Sequence, residues 1–322
     1  MSSYYNPNRK RNLYDKNSKE LFRLSRGKID DFLACPRCFY LDRKLGVAQP
    51  PGFPFSLNSA VDKLLKIEFD IHRANGTAHP LMKHYGVDAI PMAHEKIDEW
   101  RDALRGGITF PIDHTNVVIT GGIDDIWITP NKELIIVDYK ATSKDEEVTL
   151  DAEWQDGYKR QMEIYQWLFR KNGFKVSKTG YFVYCNGNTD KKSFDAKLEF
   201  DIKIIPYEGD DSWVEGVIFN AIQCLKSDYL PKCGDDCDSC KYKEASKNAE
   251  NSMDRDELFG QVVEFVKDLD QIIASDLQKK FNIGYARSAR ILDELELARI
   301  AGPGEGAKPR KVLTHKPKKK KY

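Results

Sequence analysis

The feature that most constrains this chain is a pair of apolar, β-branched segments that carry acidic residues. One covers residues 122–126 (GIDDI), and the other covers residues 136–140 (IVDYK). Both have the composition of buried strands, where an unpaired carboxylate is costly. Asp138 and Lys140 are two positions apart, so a strand directs both side chains to the same face. With Asp124 on a neighbouring strand, two carboxylates and an ammonium group are expected to converge.

Metal-dependent phosphodiester hydrolysis requires this set of groups. Carboxylate oxygens are the ligands that Mg²⁺ or Mn²⁺ prefers, and the bound ion lowers the pKa of a water molecule. A lysine beside the ion can orient that water or offset the charge that develops on the phosphate. The alternative interpretation is a surface hairpin with an ordinary salt bridge.

The surrounding periodicity predicts an α/β or α+β sheet domain. Helices are expected over 55–73, 93–104, 152–171 and 211–227, and strands over 116–120, 123–129, 133–139, 179–185 and 196–205. By domain, we expect a disordered N-terminus over 1–22, the sheet domain over 23–243, a linker over 244–255, a helical module over 256–314 and a basic tail over 315–322.

Charge is unevenly distributed along the 322 residues. The net charge of +1 is the sum of +4 for residues 251–322 and −3 for the rest, and this near balance excludes a strongly basic coating protein. No apolar run approaches the roughly 20 residues that span a membrane, and the N-terminus lacks a secretory signal. We therefore expect a cytoplasmic protein with no membrane partner.

In order and spacing, these motifs resemble the RecB-like branch of the PD-(D/E)XK nuclease superfamily, whose core is restriction-endonuclease-like. That branch has a G-x-I-D element, a D-Y-K-T-like element and Q-x-x-x-Y on the next helix. Here they correspond to residues 122–124, to residues 138–142 with Ala141 inserted before the threonine, and to Gln161 and Tyr165.

The resemblance implies a Mg²⁺- or Mn²⁺-dependent deoxyribonuclease, with an exonuclease favoured over an endonuclease. It implies that Asp124 and Asp138 bind the metal, that Lys140 is catalytic, and that Gln161 and Tyr165 position DNA or the site. The family often has a further histidine ligand on an early helix. This chain has Asp62 at that position, which is also able to bind Mg²⁺.

Five of the seven cysteines are clustered in the sequence: Cys35, Cys38, Cys233, Cys237 and Cys240. Such pairs in a reducing compartment indicate a metal rather than disulfides. The C-P-R opening at Cys35 resembles that of iron–sulfur nucleases, in which one N-terminal and three C-terminal cysteines hold a [4Fe–4S] cluster. A double C-x-x-C site for Zn²⁺ is the alternative. Five thiols for four positions leave the choice open.

Three helices followed by a β-hairpin in residues 256–314 predict a winged helix-turn-helix. The segment resembles the FtsK gamma domain, a DNA-reading winged helix. We expect its third helix to present Tyr285, Arg287 and Arg290 to DNA, and its wing to present a second set of basic residues: Lys308, Arg310 and Lys311.

The leading hypothesis is a DNA nuclease docked on DNA by the winged helix, acting in DNA repair, recombination or processing. DNA is the expected partner, with a helicase or another repair or recombination protein as a further candidate. The second hypothesis is a catalytically inactive nuclease fold that serves as a DNA-binding or recruitment protein.

Overall fold

The chain forms two compact units, Met1–Cys237 and Asp238–Tyr322. The structure, a computed structural model, describes residues 5, 9, 11–50, 56–253, 255–306 and 308–313, and of 251–253 the backbone only. The predicted basic tail, 315–322, lies outside the described residues. Among the helices in the described ranges, none combines the length and apolarity needed to cross a membrane.

The N-terminal unit mixes strands and helices, which confirms the predicted α/β class. Its strands are β1 (Phe22–Ser25), β2 (Ile90–Pro91), β3 (Ile108–Pro111), β4 (Val117–Gly121), β5 (Asp125–Ile128), β6 (Leu134–Thr142), β7 (Thr179–Gly187) and β8 (Phe200–Glu208). Its helices are α1 (Arg26–Ala34), α2 (Pro36–Arg43), α3 (Ser56–Asn75), α4 (Pro80–His84), α5 (Ile97–Arg101), α6 (Asp156–Lys171) and α7 (Val214–Lys226).

Two sheets organise this unit. The larger has the strand order β2-β5-β6-β7-β8, in which only the β6–β7 pair is parallel. The smaller has the order β1-β4-β3. β5 and β6 pair antiparallel with Asp125 opposite Val137. This register places Asp124 next to Asp138, as the spacing of the two motifs predicts.

The alternation of side chains along β6 assigns the two faces of the larger sheet to different cores. Ile135, Val137 and Tyr139 pack in one core with Leu65 and Phe69 of α3. Leu134 and Ile136 pack in the other, with the buried residues of α6 and α7. Asp138 and Lys140 continue the second series, so they lie on the α6 face.

The N-terminal segment differs from the disorder expected for residues 1–22. Tyr14 is buried and its ring meets that of Phe22 edge-on at 5.4 Å. The backbone amide of Tyr14 donates to the carbonyl of Arg43. Polar composition hid this packing, because a few aromatic residues, chiefly Tyr14 and Phe22, anchor a largely polar segment to the core.

The C-terminal unit begins with a helix where we expected a linker. Its elements are α8 (Asp238–Met253), α9 (Phe259–Val266), β9 (Gln271–Ile272), α10 (Ala274–Phe281), α11 (Tyr285–Leu297) and β10 (Arg310–Lys311). β10 pairs with β9, a strand that the sequence pattern missed, and Ala301 bridges to Val312. α9 to α11 share a core with these strands, which agrees with a winged helix.

Gly121 of β4 tests the packing of the sheet on α6. An added Cβ would lie 2.7 Å from the Tyr165 ring and 2.9 Å from Leu168. We expect Gly121→Ala to lower the free energy of unfolding by about 1–3 kcal/mol, measured by urea denaturation. In the matched control Gly216→Ala on α7, the new Cβ meets no atom within 4 Å, so stability should hold or rise. Equal destabilisation by both would contradict this packing.

Candidate functional site

The centre of the site is the buried carboxyl group of Asp138 on β6. Asp124, at the entry to β5, is fixed beside it because its Oδ2 accepts the backbone N–H of Tyr139 at 2.9 Å. Gln161 of α6 donates from Nε2 to Oδ1 of Asp138 at 2.7 Å. The Lys140 ammonium forms an ion pair with Oδ2 of Asp138, an oxygen that accepts no hydrogen bond of ordinary geometry.

Burial and charge shift the titration of this cluster. Burial, reinforced by the neighbouring Asp124 carboxylate, raises the pKa of Asp138 to about 7, although Lys140 opposes the shift. Burial alone would lower the pKa of Lys140, but Asp138 and Asp124 outweigh it and raise that pKa. A cation bound beside Asp138 would favour the ionised carboxylate and lower its pKa again.

Tyr165 supports the site from behind rather than facing DNA. Its side chain is buried, and its hydroxyl oxygen lies 3.3 Å from Nε2 of Gln161. Of the two positioning roles that the motif implies, this placement agrees with positioning of the site.

Lys66 of α3 is a site residue that the sequence reasoning missed. Its Nζ donates to Asp62 at 2.8 Å and to Asp124 at 3.3 Å, so one ammonium bridges the two carboxylates. The i, i+4 spacing of Asp62 and Lys66 was visible in the sequence, but such pairs usually lie on a solvated helix face. Burial and the charge of Asp124 raise the pKa of Asp62.

A second ionic network, also missed, holds the backbone of the site. Asp125 is fully buried, and its carboxylate accepts hydrogen bonds from Arg73, from Arg101 at 3.0 Å and from the Tyr139 hydroxyl at 2.8 Å. Arg101 also donates from Nε to the carbonyl of Asp124 at 3.0 Å. The arginines therefore position the carboxylates without lining the cleft.

The site opens into a cleft of about 360 Å³. Asp62, Asp124, Lys140 and Gln161 line it together with Tyr158. The carboxylate oxygens of Asp124 and Asp138 fit a hard divalent cation, and Oδ2 of Asp138, which contacts Lys140, accepts no hydrogen bond of ordinary geometry. Asp62 shares the cleft, but Lys66 stands between it and Asp124.

The cysteines form a second candidate metal site. The sulfur atoms of Cys35, Cys38, Cys237 and Cys240 all lie within 4.8 Å of one another. Hydrogen bonds from the amides of Gly234 and Cys38 outweigh burial and lower the pKa of Cys35 to about 7. The fifth thiol, Cys233, lies outside this quartet and donates to the carbonyl of Gly234. The structure thus gathers the double C-x-x-C set.

In the C-terminal unit, one carboxylate organises the predicted DNA-reading helix. Asp256 accepts hydrogen bonds from Arg287 and Arg290 of α11, each at 2.7 Å, and caps the turn before α9 through the amide of Leu258. The Arg287 guanidinium holds the pKa of Asp256 well below its usual range. Both arginines and Tyr285 remain accessible to solvent.

The wing residues differ in accessibility. Lys308 and Lys311 are exposed, as expected. The exposure predicted for Arg310 is wrong: its guanidinium donates to the carbonyl of Leu292 and pairs with Asp293 and Glu296 on α11. Arg310 therefore fastens the wing to the helix. The sequence pattern did not show this pairing, because the carboxylate partners lie on a separate element.

Comparison with known proteins agrees with this architecture. The sequence model of the PD-(D/E)XK nuclease superfamily matches residues 68–245, and that of the FtsK gamma domain matches residues 253–315. The first match covers more than half of the chain, and the chain therefore belongs to the PD-(D/E)XK nuclease superfamily. Both families, and their order, confirm the resemblances found in the sequence.

Several curated relatives are DNA translocases named FtsK, and each matches only a short part of this chain. The DNA translocase FtsK of Chlamydia pneumoniae is 44% identical over 70 residues, 22% of this chain and 9% of that protein. Those of Sporosarcina ureae and Listeria monocytogenes are 46% and 49% identical over 63 and 57 residues, which is 20% and 18% of this chain and 8% of each protein. The chain thus spans less than a tenth of these relatives.

One solved structure, the crystal structure of SSO0001, is similar at 15% identity and a TM-score of 0.29. The match covers 64% of this chain and 78% of that one. The TM-score is too low for this similarity to bear on fold or function.

Lys66→Met tests the ammonium bridge. Without it, Asp62 and Asp124 face each other without a counter-charge, so we expect the metal-free protein to lose about 1–2 kcal/mol of unfolding free energy. Added Mg²⁺ should restore more stability to the variant than to the wild type. Urea unfolding with and without Mg²⁺ measures both effects. Lys63→Met, an exposed lysine on the same helix, is the control, and equal behaviour of the two variants would contradict the bridge.

Proposed function

We propose that this protein is a Mg²⁺- or Mn²⁺-dependent DNA nuclease. The observation that carries the proposal is the convergence of Asp124, Asp138, Lys140 and Gln161 at one cleft, in a chain of the PD-(D/E)XK nuclease superfamily. Repair, recombination or processing of DNA in the cytoplasm is the corresponding role. An exonuclease is the form that the resemblance favours.

Each residue has a chemical task in this proposal. Asp124 and Asp138 would hold the divalent ion, which when bound supplies an acidified water and offsets phosphate charge. Lys140 lies beside Asp138, where its ammonium can orient the attacking water or stabilise the negative charge that develops on the phosphate. Gln161 keeps the Asp138 carboxylate in one orientation, and Tyr165 supports Gln161.

The C-terminal unit would dock the enzyme on duplex DNA. Arg287 and Arg290 can donate to guanine in the major groove. Asp256 holds Arg287 through two hydrogen bonds and Arg290 through one. Tyr285, Lys308 and Lys311 supply further contacts, while Arg310 contributes by holding the wing. A helicase or another repair or recombination protein is a candidate partner.

A catalytically inactive, DNA-recruiting protein is the alternative. The specific observation in its favour is the Lys66 ammonium, which bridges Asp62 and Asp124 and therefore pairs with a carboxylate that the metal would need. In that case the protein binds DNA but does not cleave it with either ion.

The cysteine quartet would hold a structural metal, and its spacing favours one Zn²⁺ over a [4Fe–4S] cluster. Zn–S bonds of about 2.3 Å give a tetrahedron with sulfur–sulfur edges of about 3.8 Å. The sulfur atoms of Cys38 and Cys237 are 3.6 Å apart, and all four lie within 4.8 Å. A cubane of four irons would hold its thiolates further apart.

Cleavage assays on single- and double-stranded DNA with Mg²⁺ or Mn²⁺ test the enzyme. We expect Lys140→Ala to lose at least about 100-fold in rate, because it removes a charge that acts on the transition state. The exposed Lys175 serves as the control, and Lys175→Ala should cleave like the wild type. Equal cleavage by wild type and Lys140→Ala would rule out the proposed active site.

Metal analysis of the purified protein tests the quartet. We expect one zinc per chain and no visible absorption band. Cys38→Ser should lose the metal and unfold at a lower temperature, whereas Cys233→Ser should keep it, because Cys233 lies outside the quartet. A coloured, iron-containing protein, or loss of metal in Cys233→Ser, would favour the one-plus-three iron–sulfur arrangement instead.

A further inference from the structure

An exposed tryptophan, Trp154, and a partly buried tyrosine, Tyr158, lie beside the catalytic cleft. Tyr158 lines the cleft, and the Nζ of Lys140 lies 4.5 Å from the centre of its ring. Trp154 meets Tyr158 edge-on, with ring centres 5.6 Å apart. The two contacts place the Trp154 ring no more than about 10 Å from the Lys140 ammonium.

Trp154 differs from the other tryptophans of the chain. Its side chain is 54% exposed, whereas Trp100, Trp127 and Trp167 are buried and Trp213 is partly buried. Exposing a large indole to water has a cost, and aromatic residues exposed beside a functional site are candidates for ligand contact.

The exposed Trp154 ring lies on an ordered, hydrogen-bonded segment of backbone. Trp154 is the middle residue of a 3₁₀ turn, Glu153–Gln155. The next side chain, Gln155, is fully buried, donates to the carbonyl of Thr149 at 2.6 Å and accepts from the amide of Ala152 at 3.1 Å. Val148 and Leu150 anchor the same loop in the core. The exposure of Trp154 is therefore fixed by its neighbours.

The charge of this loop indicates which part of a nucleic acid the ring would meet. Residues 143–155 carry five carboxylates and one lysine, so the loop repels phosphates. Lys144 is the exception, with its Nζ 4.7 Å from the Trp154 ring. Lys144 lies over one face of the indole. The other face can stack on any base, and bases are accessible for stacking only when the strand is unpaired.

We propose that Trp154 and Tyr158 form a stacking platform that binds the bases of single-stranded DNA next to the catalytic cleft. This inference deepens the proposed nuclease function and rests on it: the substrate that reaches Lys140 is an unpaired strand, and Trp154 holds a base a short distance from the phosphate to be cleaved. Trp154 is a binding residue in this scheme and takes no part in the chemistry.

Tryptophan fluorescence reports on the platform directly, because Trp154 is the most exposed of the five indoles. The full chain carrying Asp124→Asn, which cannot cleave under the proposal, is titrated with a 12-nucleotide oligo(dT). We expect quenching by the single strand, little quenching by a 12-base-pair duplex, and no quenching once Trp154→Phe is added. Absence of quenching by the single strand, or equal quenching by the duplex, would overturn the inference.

Affinities measured by anisotropy of the labelled oligonucleotides provide the second test. Loss of one stacked base predicts about tenfold weaker binding of oligo(dT) by Trp154→Ala, partial recovery in Trp154→Phe and unchanged binding of the duplex. Tyr229→Ala, which removes an exposed aromatic residue elsewhere, is the matched control. Unfolding temperatures identify any variant that fails to fold, and unchanged oligo(dT) affinity in folded Trp154→Ala would contradict the platform.

The two proposals fail separately in these experiments. Base stacking needs no cleavage, so quenching in a protein without nuclease activity would retain the platform and refute the enzyme. Lys140-dependent cleavage, combined with unchanged single-strand binding in the Trp154 variants, would retain the enzyme and refute the platform.

Discussion

The buried carboxyl group of Asp138 is the constraint on which the rest of the N-terminal unit depends. It interrupts an apolar strand, and burial without compensation would be costly. The compensation comes from Lys140 on the same face and from Gln161 of α6. Under the proposed function, a divalent cation beside Asp124 would add to it. The same partners that stabilise the buried carboxyl group are the ones that the proposed nuclease chemistry uses.

The opposite face of the same strand pair carries a second buried aspartate that is compensated by its neighbours. Asp125 is one residue from Asp124 but lies in the other direction, where two arginines and the Tyr139 hydroxyl neutralise it. The two adjacent aspartates thus have different roles, since Asp125 forms internal ion pairs and Asp124 faces the cleft. Removing a partner from such a buried network is far more costly than its net contribution to stability. The network fixes the register of β5 on β6, and with it the position of Asp124.

Ion pairs also position side chains in the C-terminal unit. Asp256 caps one helix and orients two arginines of another, and Arg310 ties the wing to α11. Some charged groups here hold the proposed DNA-binding surface in shape, and others form that surface. The exposed charges on that surface, Lys308 and Lys311, remain available to phosphates.

The sequence by itself determined the α/β class and the pairing of the two acidic strands, and it predicted that Asp124, Asp138 and Lys140 converge, because strand periodicity fixes which side chains share a face. Gln161 was predicted from the family resemblance alone. Only the tertiary structure decided the partners that are distant in sequence. The bridge from Lys66 to Asp124, the arginines on Asp125, the burial of Arg310 and the choice of four cysteines among five all depend on contacts between separate elements. Local patterns do not encode such contacts, since each requires two segments to be placed together by the packed core. The exposed position of Trp154 also became visible only in the structure, because the burial of Gln155, Val148 and Leu150 in the packed core holds this loop so that the ring stays in solvent.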